Sequence, residues 1–566
     1  MSATAPAVTP TTSHEKSSIA LLFTGLMITM LMAAMNQTVL STALPTIVGD
    51  LGGVEQMSWV ITGYILASTI MMPVYGRISD QLGRKPVLLA AIIIFIVSSV
   101  AGGLSTNIWW LVAARVIQGI GGGGLMILSQ AAIADVVSAR ERGKYMGIMG
   151  GVFAIASVAG PLLGGWITES VGWRWAFWIN IPMGVLSVLA TIRFLHLPKR
   201  PVSSHKQRID YLGMTLLAAA TAAIVLVCTW GGHTYAWTSG TILGLIGAAV
   251  VLAGLFIWSA TRADQPVIPL ALFKDHNFTI TTIAALLIGI AMFGALGYFP
   301  TYVQMVTGVS ATVAGLLMAP MMGAMLITSV IGGQIVSRTG RYKIFPILGA
   351  VIMGIGLWLL SELKIDTPTW WMCTVLAIFG VGIGLANQIL TLIVQNSFSN
   401  AIVGTATAAN NYFRQVGASV GSAIVGSFFV ARLHDFLADR LPRLGEGGQG
   451  GTSGANSLTP EVVNQMPDAV RIPVIESYNE ALLPIFLLMV PLAVVTFILL
   501  LFVKEKPLAT SVITEEDIPE LAAQERSALG VDDADLDDAT LALAPGAHSR
   551  GESGDELLAG AGVPTA

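Results

Sequence analysis

Long apolar runs without charge alternate along this chain with short basic loops. Ile19 to Val39 runs for 21 residues without a charged side chain, and Val87 to Ala114 for 28. About 20 apolar residues in a helix cross the hydrocarbon core of a bilayer. The pattern recurs and predicts fourteen helices, near 18–40, 57–76, 86–105, 108–130, 145–167, 174–195, 211–230 and 240–260, then 278–303, 311–336, 344–361, 370–392, 404–430 and 482–503. The first run comes after a polar leader, 1–17, that carries Lys16. It exceeds the roughly 7–15 residues of a signal-peptide apolar region, and no A-x-A site closes it. Ser18–Leu40 is therefore read as the first spanning helix.

Composition agrees with the pattern. Of 566 residues, 54% are hydrophobic and 11% charged, against roughly 25% charged in soluble domains. This is an all-α membrane protein in contact with the lipid bilayer. Cys228 and Cys373 sit in apolar runs and suggest neither a disulfide framework nor a metal site. No P-loop, nucleophile elbow or metal-ligand spacing occurs, so no cofactor, nucleic acid or enzymatic step is expected. Gly119 to Gly124 spells G-x-G-x-x-G, but it lies inside a span, where close helix packing explains it better.

Charge then orients the helices. One set of alternate loops carries Arg77, Arg84, Lys85, Arg140, Arg142, Lys144, Lys199, Arg200, Lys206, Arg208, Arg262, Lys274, Arg338, Arg341 and Lys343. The opposite short loops carry only Arg174 and Lys364. By the positive-inside bias both termini are cytoplasmic. Residues 431–480 form an extracytoplasmic loop with a Gly-rich centre of linker composition. Residues 504–566 form an acidic tail with the composition of a disordered segment.

GRISDQLGRKP begins at Gly76, and GQIVSRTGRY begins at Gly333. Gly76, Gly83 and Arg84 align with Gly333, Gly340 and Arg341, and the same spacing carries Gly160 and Gly164 onto Gly417 and Gly421. The chain therefore reads as a duplicated six-helix unit: a bundle over 18–195, two inserted helices with linkers over 196–277, and a second bundle over 278–503. Parallel repeats of this kind place a substrate site between the halves near the midplane.

Four motifs resemble those of the major facilitator superfamily: GRISDQLGRKP, LVAARVIQGIGGG (Leu111–Gly123), VAGPLLGG (Val158–Gly165) and WRWAFWINIP (Trp173–Pro182). The last is similar to the fourteen-helix drug:proton antiporter branch. The resemblance implies the major facilitator fold with 14 helices as 6+2+6. It also implies efflux of a small amphipathic substrate in exchange for protons, in a bacterial plasma membrane. The chain is expected to act as a monomer. Gly76, Asp80, Gly83, Arg84 and Lys85 would form the gating loop, with Asp80 bonding Arg84 or capping a neighbouring helix N-terminus. Ser337 stands where the second copy would need the acid, so the charged latch is expected on one side only. Gly160, Pro161, Gly164 and Gly165 would form the antiporter motif, a bend with close helix packing. Arg115 lies deep in a span, where a charge calls for a cavity or a partner. Gln118 lies on the same helical face, and the pair with Arg414 would serve transport or proton coupling. Asn36, Gln37, Tyr64, Asn410 and Asn411 are candidate cavity residues.

One position departs from the pattern. In the branch it resembles, most members carry an aspartate in the first helix, in a pattern like L-D-x-T; here the stretch is MNQTVLSTALP, with Asn36. Asparagine does not titrate, and no mid-span acid replaces it. Export of one dedicated metabolite or envelope compound is the competing expectation.

Overall fold

The computed structural model describes residues 13–51, 56–195, 210–232, 234–309, 311–399, 402–440, 463 and 466–508. Most of the leader 1–17, the linker 196–209, the Gly-rich centre of the long loop and the acidic stretch after Leu508 lie outside the described residues. Among the described residues fourteen helices are long and apolar enough to cross a membrane. They are α1 (Ser13–Leu51), α2 (Met57–Leu82), α3 (Arg84–Gly103), α4 (Ile108–Val136), α5 (Ala139–Ser170), α6 (Trp175–Phe194), α7 (Tyr211–Trp230) and α8 (Gly240–Arg262). The second half holds α9 (His276–Thr307), α10 (Val313–Thr339), α11 (Ile344–Ser361), α12 (Thr369–Ser397), α13 (Val403–Arg440) and α14 (Asp468–Leu501).

The apolar count located every helix, but not every end. The expected loop over 431–480 is shorter at both ends, because α13 continues to Arg440 and α14 starts at Asp468. These extensions carry charges, which argued for loop. They nevertheless bury Leu433, Val474, Ile475 and Tyr478. Arg440 pairs with Glu480 at 2.7 Å and Glu476 at 3.8 Å across the two helices. α1 likewise runs past the expected residue 40 and through Pro45 to Leu51.

Helices α1–α6 pack as one bundle and α9–α14 as another. Small residues set the inner packing. A Cβ on Gly119 or Gly123 of α4 would strike the Tyr64 or Ser68 carbonyl of α2, and one on Gly380 or Gly384 of α12 would strike Met321 or Met325 of α10. The same glycine packing recurs in the two helix pairs. α4 and α12 correspond at a spacing about one helical turn longer than the spacing that aligns Gly76 with Gly333. The inserted pair, α7 and α8, pack on each other, and α7 lies against the α2–α13 seam. Trp230 meets Trp59 at 5.7 Å, and Thr221 shares a 2.8 Å hydrogen bond with the Tyr412 hydroxyl.

The halves meet along α5–α10 and α2–α13. On the arginine-rich face a Cβ on Gly147 would run into the Ser329 carbonyl, one on Gly333 into the Gly143 carbonyl, and one on Gly76 into Ala408 and the Gly404 carbonyl. Further along these helices Gly165, Gly315 and Gly323 have nothing among the described residues within 4 Å of the Cβ position, while the Ala311–Leu317 turn still touches α5.

Candidate functional site

Arg115 lies inside the first bundle, held by several helices rather than one partner. Its Nη1 donates to Asn36 Oδ1 and to Gln118 Oε1, each at 2.6 Å, and its Nε donates to the Val60 carbonyl at 3.2 Å. The guanidinium carbon sits 4.1 Å from the centre of the Tyr64 ring, a cation–π contact. Gln118 donates onward to Ser99 Oγ at 2.5 Å, and Asn180 Nδ2 reaches the same hydroxyl at 3.3 Å. The network joins α1, α2, α3, α4 and α6. Arg115 and Asn36 are each 1% exposed. The i, i+3 spacing of Arg115 and Gln118 was legible in the sequence; Ser99 and Asn180 were not, because a lone polar residue in an apolar run carries no pairing signal.

This placement changes two expectations. Asn36 and Tyr64 were candidate cavity residues, yet both are buried around Arg115. A guanidinium in an apolar bundle draws in every nearby acceptor and ring face, because an unpaired charge there is costly. Gln37 points the other way and is exposed, on the same edge of α1 as Ser41 and Thr42.

Arg414 organises a second network at the seam. Nη1 donates to Asn387 Oδ1 at 2.5 Å, and Nη2 donates to Asn411 Oδ1. Asn411 Nδ2 donates to Gln130 Oε1 of α4 at 3.1 Å, and so crosses from one half to the other. Asn410 reaches Thr282 of α9 at 3.4 Å and stays inside its own bundle. Gln130 and Asn387 escaped sequence analysis, since each reads as one amide near the end of an apolar run. Beside this network Ser329, Gln388, Thr391 and Gln395 are buried, each with a side-chain oxygen lacking a hydrogen-bond partner among the described residues.

The gating loop joins both roles expected of Asp80. Its Oδ1 pairs with Arg84 Nη1 at 3.1 Å, while Oδ2 accepts from Thr405 N and Thr405 Oγ1, each at 2.6 Å. Thr405 lies in the first turn of α13, where free N–H groups favour a carboxylate. Arg84 also holds Asp135 at the end of α4, at 2.5 Å. Gly83 adopts φ 91°, open to glycine without strain. Lys85 lies outside this cluster and donates to the Ile192 carbonyl at 2.9 Å.

The latch is not confined to one side, contrary to the expectation from Ser337. Arg140 donates to the Ser337 carbonyl at 3.2 Å and the Arg338 carbonyl at 2.9 Å. A cation thus closes the C-terminus of α10 where, across the seam, an anion closes the N-terminus of α13. Arg142, in the first turn of α5, adds a third tie, holding the Ala134 and Val137 carbonyls at the end of α4 and reaching the Gln395 carbonyl at 3.4 Å.

In the antiporter motif, Gly160 and Gly164 admit α1, at Thr38 and at Val39 and Thr42. Thr38 Oγ1 donates to the Ala156 carbonyl at 3.0 Å, one turn before Pro161. The close-packing expectation fails for Gly165, which faces open space.

Comparisons with known proteins give the family and the fold. A family model described as Major Facilitator Superfamily matches residues 26–422. An uncharacterised MFS-type transporter of Mycobacterium tuberculosis is 41% identical over 89% of this chain and 73% of its own length. Multidrug resistance protein 3 of Bacillus subtilis is 32% identical over 89% of this chain and 99% of its own, and the multidrug transporter protein MdtP of the same organism is 38% identical over 75% and 78%. Among solved structures, the proton:xylose symporter XylE superposes with a TM-score of 0.58 at 16% identity, covering 87% of this chain and 98% of its own.

Proposed function

We propose, since the chain belongs to the Major Facilitator Superfamily and is a membrane transporter rather than an enzyme, that it exports amphipathic compounds by proton exchange with alternating access. The observation that carries the reading is the seam. Charged and amide ties run between the halves on the arginine-rich face. With the arginine-rich face cytoplasmic, as the positive-inside bias requires, these ties support a state closed toward the cytoplasm. Both termini are then cytoplasmic, in a plasma membrane. The relatives named as multidrug transporters support a broad cargo. The Arg115–Gln118 pair and Arg414 are the polar centres that transport depends on, with Gln37 toward the cargo side. Transport into inside-out vesicles tests the scheme. Uptake that persists unchanged after the pH gradient is collapsed removes proton coupling.

Asn36 favours a second reading. Where the branch pattern has an acid beside Arg115, this chain has an amide, and no mid-span carboxylate occurs among the described residues. Such a centre suits a neutral, zwitterionic or anionic cargo, and so export of one dedicated metabolite or envelope compound. A deletion strain that becomes hypersensitive to many unrelated toxic compounds argues against it.

A further inference from the structure

The segment that leads from α8 back to α9, residues 263–275, does not loop freely into solvent. Val267, Ile268 and Leu272 are buried in one apolar cluster with Val74 of α2 and Ala406 and Ala409 of α13. The walls of that cluster come from both halves, and the burial of three aliphatic side chains holds the segment across the α2–α13 seam. Its far end belongs to the second half. Leu270–Lys274 is a short 3-10 turn, and Asp275 then caps α9 by accepting from Phe278 N at 2.8 Å. Phe273 packs edge-on against Phe278 and Phe413, with ring centres 5.2 and 5.9 Å away. The Thr221–Tyr412 hydrogen bond fastens α7 to the same half.

The near end of the segment reaches the first half. Gln265 Oε1 accepts from Gln81 Nε2 at 2.7 Å and from Arg77 Nη2 at 3.1 Å. Both donors lie in the last turns of α2, the helix that also carries Asp80. Pro266 follows Gln265 and restricts its backbone, so the amide is presented with little conformational freedom. One oxygen on the inserted unit thus serves two donors on the opposite half, on the arginine-rich face. We infer that Gln265 is a positioning residue of transport: it acts through Arg77 and Gln81 to hold α2 against the second half, and so makes the inserted pair part of the closure on that face. The inference rests on the alternating access proposed above, and needs neither the cargo nor the proton coupling. The two donors fix the sign of the response. A methionine keeps the length of the side chain but offers no comparable acceptor. A carboxylate in the same place pairs with Arg77, and charge-assisted hydrogen bonds are about twice as strong as neutral ones.

A cysteine-labelling assay tests this. Ser329→Cys, buried at the α5–α10 seam, is placed in the full-length chain with Cys228→Ala and Cys373→Ala. A membrane-impermeant thiol reagent is then applied from the arginine-rich side, with no cargo and no gradient. Gln265→Met should raise the labelling rate about three- to tenfold, as the loss of one or two modest hydrogen bonds implies. Gln265→Glu should lower it about threefold, as a charge-assisted bond implies, and adding Arg77→Met should abolish that drop. Unchanged labelling in Gln265→Met overturns the proposal. So does a rise in both single variants, or a lowered melting temperature with unchanged labelling, since an amide that only supports packing gives those results. A drop in Gln265→Glu that survives Arg77→Met overturns it as well. If the methionine variant does not insert, Gln265→Glu with and without Arg77→Met decides alone. Failure here leaves proton exchange, read as flux in vesicles, untouched.

Discussion

Two buried arginines, one in each half, have opposite relations to the moving parts. Arg115 is enclosed by α1, α2 and α4 of its own bundle, through Asn36, Gln118, the Val60 carbonyl and the Tyr64 ring. Arg414 is linked through Asn411 to Gln130 on the other half. Under the proposed alternating access, the first network would travel intact with its bundle, and the second, which bridges the halves, would have to break and re-form.

Arg115→Ala is the most damaging way to break the contrast. It strands the oxygens of Asn36 and Gln118 in an apolar bundle, and such truncations of buried charged partners cost about 3–5 kcal/mol. Transport should vanish, with a lowered melting temperature but a monodisperse inserted protein. Wild-type flux would refute the assignment. Asn411→Leu comes next. It removes the cross-half bond, and membrane-buried hydrogen bonds contribute about 0.6–1.7 kcal/mol, so labelling from the arginine-rich side should rise about three- to fifteenfold. Melting should move far less than in Arg115→Ala; an equal drop would mean that both networks are structural. Asp80→Asn keeps the Arg84–Asp135 pair but weakens the contact with Thr405. A helix-terminal charge is worth about 0.3–1 kcal/mol, more when partly buried, so export should slow a few-fold with Km little changed. Arg140→Gln should have the smallest effect, about 0.3–1 kcal/mol on the same grounds, read as a modest rise in labelling. If it exceeds Asp80→Asn, the cationic side of the latch dominates.

The sequence was informative where the physics is local. Apolar length located all fourteen helices, and the glycine–arginine loop pointed to the cluster of Asp80, Arg84 and Asp135. The i, i+3 spacing of Arg115 and Gln118 predicted a contact that is present at 2.6 Å. It failed where burial depends on a distant partner. The charged end of α13 reads as loop until α14 folds against it and Arg440 meets Glu480. Asn36 reads as a cavity amide until Arg115, in another helix, claims its oxygen. Gln130 carried no signal, because its partner lies in the other half of the chain.

The substitution at Asn36 has an electrical consequence. An asparagine beside a permanently charged arginine gives the centre of the first bundle a charge that does not change with pH or with the stage of the cycle. Among the described residues no carboxylate bonds Arg115, so under the proposed cycle this centre contributes to current only through the displacement of a fixed charge. Net charge per turnover, measured as a reversal potential, then counts what passes through the protein: the cargo and whatever ion accompanies it.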